Sequence, residues 1–285
     1  MTIRITPSGQ ACGALITDID LSEVLSQQTV ATLRSAWLNY HVLSFPSQTL
    51  SDDDLEQFAL YFGTFGEDPF IAPLPGREHV IAVKRDAKET APIFAEAWHT
   101  DWSFQATPPA GTCLYGITIP TCGGDTLFSN QHLALAGMPD TLRQQLEGKV
   151  ALHSARGAYS PDGLYGEAER DSDRSMDITP SSDAMQIQRH PIIRAHPESG
   201  EPGIFGCLGY IIGIEGMDND DATTLLLDLY QWQSREEFQY QHQWQAGTLV
   251  MWDNRSVLHR ATGGYEGQDR LLHRVTIAEN SEKPA

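Results

Sequence analysis

The residues best equipped for chemistry sit in Trp98-His99-Thr100-Asp101-Trp102, an H-x-D set in an aromatic run. In an extended strand, side chains two apart share a face. His99 and Asp101 would then offer an imidazole nitrogen and a carboxylate oxygen to one point. A metal ion is the natural occupant of such a point. In an Asp-rich chain with ten histidines, chance supplies on the order of one H-x-D, so the motif needs context. That context lies near the C-terminus, where Trp252-Asp-Asn-Arg255 precedes His259, and Arg270 and Arg274 follow. His259 completes a set of two neutral nitrogens and one negative oxygen. Three coordination positions stay open, the arrangement used with Fe(II) in oxygen chemistry. With zinc, the same three ligands would activate water for hydrolysis.

The two arginines favour the first chemistry. Arg270 and Arg274 lie on one face of a strand, roughly 13 Å apart at ~3.3 Å per residue. They are too far apart to clamp one small carboxylate and well placed to hold two different anions. The planar guanidinium suits this work because it binds a carboxylate or sulfonate through two parallel hydrogen bonds. Leu271, Leu272 and Val275 mark the strand as buried, and buried arginines need partners.

Six segments together resemble the TauD/TfdA family of Fe(II)/2-oxoglutarate-dependent dioxygenases. They are Trp98-His-Thr-Asp101, Pro108-Pro-Ala-Gly111, Gly123-Gly-Asp-Thr126, His196-Pro-Glu-Ser-Gly200, Trp252-Asp-Asn-Arg255 with His259, and Arg270 through Arg274. They recur in the family's order and span nearly the whole chain. The resemblance implies Fe(II), 2-oxoglutarate as cosubstrate and O2. It makes His99, Asp101 and His259 the catalytic metal ligands and puts Thr126 and Arg270 on the distal carboxylate of 2-oxoglutarate. Arg274 would receive the acid group of the main substrate. The implied reaction hydroxylates that substrate and releases succinate and CO2. Hydroxylation beside a heteroatom then fragments the product, freeing sulfite, an alcohol or a phenol.

Taurine-specific members carry a His after the second helix and an Asn four residues before the first metal histidine. Here Phe70 and Ala95 stand at the nearest positions, so contacts for an amino group are missing. The stretches from Ile214-Glu-Gly-Met217 through Gln241 and from Leu249 to Asn254 look closer to the aryloxyacetate-cleaving branch. Phe70, Tyr159, Phe205 and Tyr210 are expected to line an apolar pocket. The expected substrate is therefore a small organic acid with an apolar or aromatic body: a sulfonate, a sulfate ester, or an aryloxy or alkyl carboxylate. Two other classes stay open. A metal-dependent hydrolase on a jelly-roll scaffold would use the same triad but give Arg270 and Thr126 nothing to hold. A catalytically dead binding protein would normally have lost a ligand.

The formal net charge of −19 opposes nucleic-acid binding, which depends on cationic neutralisation of phosphates. A small anionic substrate is compatible with it where buried arginines set the local field. No apolar run approaches the ~20 residues needed to span a bilayer, and Met1-Thr-Ile-Arg lacks a secretory pattern. The expectation is a cytoplasmic protein, a homo-oligomer (dimer or tetramer), with no nucleic-acid or membrane partner. Cys12, Cys113, Cys122 and Cys207 have no C-x-x-C spacing and read as reduced thiols, mostly buried. The remaining histidines read as structural or exposed.

The elements that must carry these residues are short. Strands are expected over 41–45, 79–84, 111–119, 125–129, 187–195, 248–253 and 270–278. Helical spacing joins Val30, Leu33 and Trp37, and later Leu225, Leu226 and Leu229; Ser51 caps a helix carrying Leu55 and Phe58. Phe238, Tyr240, His242 and Trp244 alternate along one strand face. Residues 66–77 and 160–182 read as loops, the second with a solvated acidic tract from Asp171 to Asp183. Many short strands with few helices predict a mainly β sandwich or jelly-roll barrel. The resemblance implies a cupin-like double-stranded β-helix with flanking helices, as one domain over 1–285.

Overall fold

Serine hydroxyls start the first two helices, at Ser51 as the sequence predicts and also at Ser26, which the helical spacing alone does not single out. Ser26 accepts from the Thr29 N–H, and Ser51 and Asp54 close a reciprocal capping box. The computed structural model describes residues 3–169 and 172–279. Strands β1 (Arg4–Pro7) and β2 (Ala14–Thr17) lead into α1 (Gln27–Tyr40), β3 (Val42–Phe45) and α2 (Asp52–Leu60). Then come β4 (Ile81–Arg85), β5 (Gly111–Thr118), β6 (Thr126–Asn130), α3 (Gln131–Ala136), α4 (Asp140–Leu146), β7 (Val150–His153) and the single turn α5 (Arg156–Tyr159). Strands β8 (Gln188–Pro191), β9 (Ile193–Ala195), β10 (Pro202–Ile204) and β11 (Ile211–Ile214) precede α6 (Asn219–Gln233). The described chain closes with β12 (Gln239–His242), β13 (Leu249–Asp253), β14 (Val257–Ala261) and β15 (Arg270–Ile277).

The main sheet has seven strands in the order β1-β2-β3-β13-β5-β15-β4, and a second sheet has the order β12-β6-β14. Strand alternation decides what each face of the main sheet meets. Leu43, Cys113, Leu249, Met251, Val275 and Ile277 pack with Leu33, Trp37, Leu55 and Phe58 of α1 and α2. The opposite side chains, Val42, Leu114, Val250, Trp252 and Leu272, meet Phe128, Tyr240, Trp244 and Val257 of the second sheet and its flank. Burial of each such side chain contributes roughly 1.5–3 kcal/mol. Because both faces of β13 are covered, it reads as a continuous apolar run rather than an alternating one. Two sheets closed over a shared interior with helices outside form the jelly roll. A third sheet (β11-β7-β8) and α3, α4 and α6 build a separate apolar cluster around Leu146, Ile192 and Leu229.

The segment expected as one strand over 187–195 is two strands that break at Ile192. The tract from Asp173 to Asp183 is exposed in part but tethered, unlike the solvated loop expected; Asp171 lies outside the described residues. The Asp173 carboxylate accepts from the Thr90 N–H (2.6 Å), the Thr90 hydroxyl (2.8 Å) and the Ala91 N–H (3.0 Å). Glu89 accepts in return from the Ser175 N–H and hydroxyl. These bonds strap the 172–176 segment to the chain that enters the H-x-D motif. Cys12, Cys113 and Cys207 are buried and Cys122 is exposed, all as free thiols. No helix among the described residues is long and apolar enough to cross a membrane.

Candidate active site

His99 and Asp101 meet, but not by strand alternation. His99 makes only an isolated antiparallel bridge to His259, through N–H···O contacts of 3.0 and 2.7 Å. Asp101 opens a turn in which Trp102 takes a left-handed φ of 48°. The strand expectation is therefore corrected: a cross-bridge pair positions the two histidines, and a turn swings the carboxylate round to them. The ligand atoms of His99, Asp101 and His259 all lie within 4.8 Å of one another. The Nε2 atoms of His99 and His259 stand 3.9 and 3.7 Å from Asp101 Oδ1. His99 Nδ1 faces the Ala97 carbonyl at 2.9 Å and donates to it, which leaves the Nε2 lone pair directed at the trio.

The far side of the carboxylate is also held. The Thr112 hydroxyl donates to Asp101 Oδ2 at 2.6 Å and accepts from Asn254 Nδ2 at 3.0 Å. Asn254 Oδ1 in turn accepts from Trp252 Nε1, and its carbonyl accepts from the Thr100 hydroxyl. Burial by itself would raise the Asp101 pKa, but Arg274, the two histidines and Thr112 bring it down to about 2. Burial pushes both histidines below their ordinary range, and for His259 the neighbouring His99 adds to it. A charged oxygen beside two neutral imidazoles is the donor set an Fe(II) ion requires.

The motif segments that offered no ligand turn out to be supports. A side chain at Gly111 would meet Trp37 at 2.5 Å and the Trp252 carbonyl at 2.9 Å, so the residue beside Thr112 has room for no Cβ. Gly123 has a φ of +68°, and a Cβ there would lie 2.5 Å from the Gly264 backbone. His196 Nε2 contacts Asp253 Oδ2 at 3.0 Å, Asp253 pairs with Arg255, and Arg255 reaches Glu198. That buried network braces the turn leading into His259.

Arg270 and Arg274 share the buried face of β15 but meet different surroundings. Arg270 donates to the Gly124 carbonyl at 3.2 Å, and its Nε has no partner. Among the described residues no carboxylate pairs with it, and burial depresses its pKa. Thr126 Oγ1 accepts from Trp244 Nε1 at 2.9 Å, which frees its own proton to donate elsewhere. Arg274 Nη2 instead lies 3.2 Å from both Asp101 Oδ1 and Asp68 Oδ1, with its guanidinium 4.9 Å from the Trp102 ring centroid. Its Nε and Nη2 make no well-directed hydrogen bond, so these are contacts of charge and not of donor geometry.

One cavity of about 310 Å³ is lined by His99, Asp101, His259, Thr126, Arg270 and Arg274 together. Tyr159 and Tyr210 also line it. Ala95, with a φ of 61°, is at its wall. Phe70 is not, which corrects the expectation: it stacks on Tyr159 at 4.8 Å, so Tyr159 stands between it and the cavity. Phe205 is likewise absent from the wall and packs on His153. Asp68, Thr112 and Trp102 went unassigned from sequence. Their partners lie far off in the chain, although the Trp98–Asp101 and Pro108–Gly111 motifs end next to Trp102 and Thr112.

A jelly roll whose interior holds two histidines, one carboxylate and an arginine without a carboxylate partner defines a non-haem Fe(II) oxygenase that uses an acid cosubstrate. The sequence comparisons agree. The family model for "Taurine catabolism dioxygenase TauD, TfdA family" matches residues 4–276, and the chain belongs to that family. It is 33% identical to the alkylsulfatase of Acinetobacter baylyi, over 93% of this chain and 82% of that one. It is 32% identical, over 99% of both chains, to the alpha-ketoglutarate-dependent 2,4-dichlorophenoxyacetate dioxygenase of Cupriavidus pinatubonensis. The crystal structure of a taurine dioxygenase from Burkholderia xenovorans superposes with a TM-score of 0.79 at 27% identity, covering 98% of this chain and 92% of that one. The protein is a 2-oxoglutarate-dependent non-haem iron dioxygenase, with Fe(II), 2-oxoglutarate and O2 as its cofactor and cosubstrates.

Proposed function

We propose that this dioxygenase hydroxylates a small organic acid with an apolar body, at a carbon beside the heteroatom, and so fragments it. Sulfate esters, sulfonates and aryloxy or alkyl carboxylates are the fitting class. One observation carries the reading: the three ligand atoms, an arginine lacking a carboxylate partner and a second arginine open into the same cavity. The alkylsulfatase and dichlorophenoxyacetate relatives act on acids of this kind, and the walls supplied by Trp102, Leu114, Tyr159 and Tyr210 suit an apolar body.

His99, Asp101 and His259 hold the iron in this proposal. The bound iron supplies the oxidative chemistry that couples decarboxylation of 2-oxoglutarate to hydroxylation of the substrate. Ala97 and Thr112 keep His99 and Asp101 in the ligating orientation. Arg270 binds the distal carboxylate of 2-oxoglutarate through its unused donors, and the Thr126 hydroxyl donates to the same group. Arg274 receives the acid group of the substrate. Tyr159 and Tyr210 exclude water and aim one C–H bond at the metal. We place residues 1–285 as one catalytic domain of a cytoplasmic homo-oligomer, dimer or tetramer, without nucleic-acid or membrane partners; the net charge of −19 supports the former exclusion.

The test is anaerobic. Fe(II)-loaded protein with 2-oxoglutarate is expected to show the weak visible charge-transfer band of the chelate, and His99→Ala and Arg270→Ala to weaken it. Succinate release in air is then screened over alkyl sulfates, sulfonates and aryloxy acids. Failure of the band with iron loaded moves hydrolysis to the front.

A further inference from the structure

The two arginines of the cavity are not equally free: Arg274 faces the candidate metal ligand Asp101 and a second carboxylate, Asp68. This residue sits in the irregular segment between α2 and β4, and its side chain is only 7% exposed. Trp102 Nε1 donates to its Oδ1 at 2.8 Å, and the Thr276 hydroxyl donates to its Oδ2 at 3.1 Å. Both oxygens are thereby fixed, and Oδ1 stands 3.2 Å from Arg274 Nη2. Trp102 is part of the same device. Its left-handed backbone, unfavourable for a bulky residue, places the indole against the Arg274 guanidinium while its N–H holds Asp68. Two hydrogen-bond donors, one from the turn at Trp102 and one from β15, and the charge of Arg274 converge on one buried carboxylate.

We infer that Asp68 is a specificity-determining residue, a charge filter that makes the substrate end of the cavity accept monoanions and reject dianions. The inference rests on the proposal that Arg274 receives the substrate's acid group. Iron, Asp101, dianionic 2-oxoglutarate and Arg270 cancel formally, so the charge at the substrate end is that of Arg274 and Asp68. That pair is neutral. A monoanion takes the donors that Arg274 leaves unused and meets one opposing carboxylate. A dianion of the same shape adds a second charge against the same carboxylate. At an effective dielectric near ~20, over about 5–7 Å, repulsion of that second charge by Asp68 lowers affinity on the order of a hundredfold relative to the same site without the Asp68 charge. Sulfate esters and phosphate monoesters differ in this respect and in little else, because a phosphate monoester is largely dianionic above its second pKa of about 6.

The measurement is equilibrium binding of hexyl sulfate and hexyl phosphate at pH 8 to the anaerobic Fe(II)·2-oxoglutarate enzyme, so that no turnover is needed. Wild-type protein is expected to bind the sulfate at least about tenfold tighter. Asp68→Asn keeps the shape and the hydrogen-bonding capacity toward Trp102 and Thr276 but removes the charge. It is expected to shrink the sulfate-to-phosphate ratio by at least about tenfold, with 2-oxoglutarate affinity within twofold of wild type. Thr276→Val loosens Asp68 but keeps its charge, and is expected to preserve the ratio. An unchanged ratio in Asp68→Asn, with the sulfate still bound, overturns the filter and leaves the dioxygenase reading intact. Equal loss of the ratio in Thr276→Val overturns it too, since packing and not charge would then discriminate. If neither anion binds either protein while the 2-oxoglutarate band forms, the assignment of Arg274 falls and the filter falls with it.

Discussion

At the residue scale, the cavity is defined by which polar groups are satisfied and which are not. Among the described residues, Arg270 is buried with the Gly124 carbonyl as its hydrogen-bond acceptor and the Tyr265 ring 5.8 Å away, an arrangement that is costly unless an anion completes it. Arg270→Ala is expected to weaken 2-oxoglutarate by roughly a hundredfold, about 3 kcal/mol, read as the concentration needed for half the anaerobic band. Retention of wild-type affinity would remove Arg270 from the cosubstrate site. Thr112 is the opposite case, a fully used hydroxyl that both donates to Asp101 and accepts from Asn254. Thr112→Val is expected to cost about 10–100-fold in iron affinity, as supports of metal ligands generally do, while Thr112→Ser restores most of it. Competition against a chelator of known affinity measures this. An iron affinity in the Val variant equal to wild type would make Thr112 a packing residue only.

At the scale of elements, close backbone approach sets where the Arg270 end of the cavity lies. Gly123 and Gly264 touch across the turn that precedes β6, and the next carbonyl, of Gly124, is the one that Arg270 contacts. Gly123→Ala adds a left-handed non-glycine residue and a backbone clash, with an expected loss of at least about 2 kcal/mol and weakened 2-oxoglutarate binding. Gly148→Ala is the control. Its φ is also positive, at +71°, but nothing lies within 4 Å of the added carbon. A loss of about 1 kcal/mol with no change in 2-oxoglutarate binding is expected there. Denaturant midpoints separate the two, and equal losses would show that backbone conformation alone, without the contact, governs both sites.

At the scale of the molecule, three histidines remote from the metal trio make the fold sensitive to mild acid. His41, His153 and His242 are each buried with one ring nitrogen unpartnered. Burial first, with His132 acting on His41 and His190 on His153, brings their pKa values to about 4, 3 and 4. The unfolded chain protonates each near 6.5, whereas the folded chain resists until the lower value. Stability is therefore undiminished above about pH 6.5. It falls below that by up to about 1.4 kcal/mol per pH unit for each histidine, and levels only as the folded values are reached. Urea midpoints at pH 7.5, 6 and 5 check the slope, and His242→Gln should reduce it. A midpoint unchanged between pH 6 and 5 would show that these rings are protonated or rearranged in the fold.

The sequence by itself pointed to the reaction class. His99, Asp101, His259 and Arg270 stood out as candidates because a facial metal set and an anion site demand particular residue types in a particular order, and the fold brings them to one cavity. The helix of Val30, Leu33 and Trp37, the helix at Ser51, and the face shared by Arg270 and Arg274 were legible because helical spacing, capping and strand alternation are local rules. The strand assigned to the H-x-D motif was not, since the bridge from His99 to His259 and the turn at Trp102 arise from pairing across the chain. Tertiary structure also decided that Tyr159 and not Phe70 faces the cavity, because both are aromatic and only packing orders them. It alone brought Asp68 to Arg274 and Thr112 to Asp101. Those contacts join segments that no local periodicity relates, and their geometry follows from how the two sheets close.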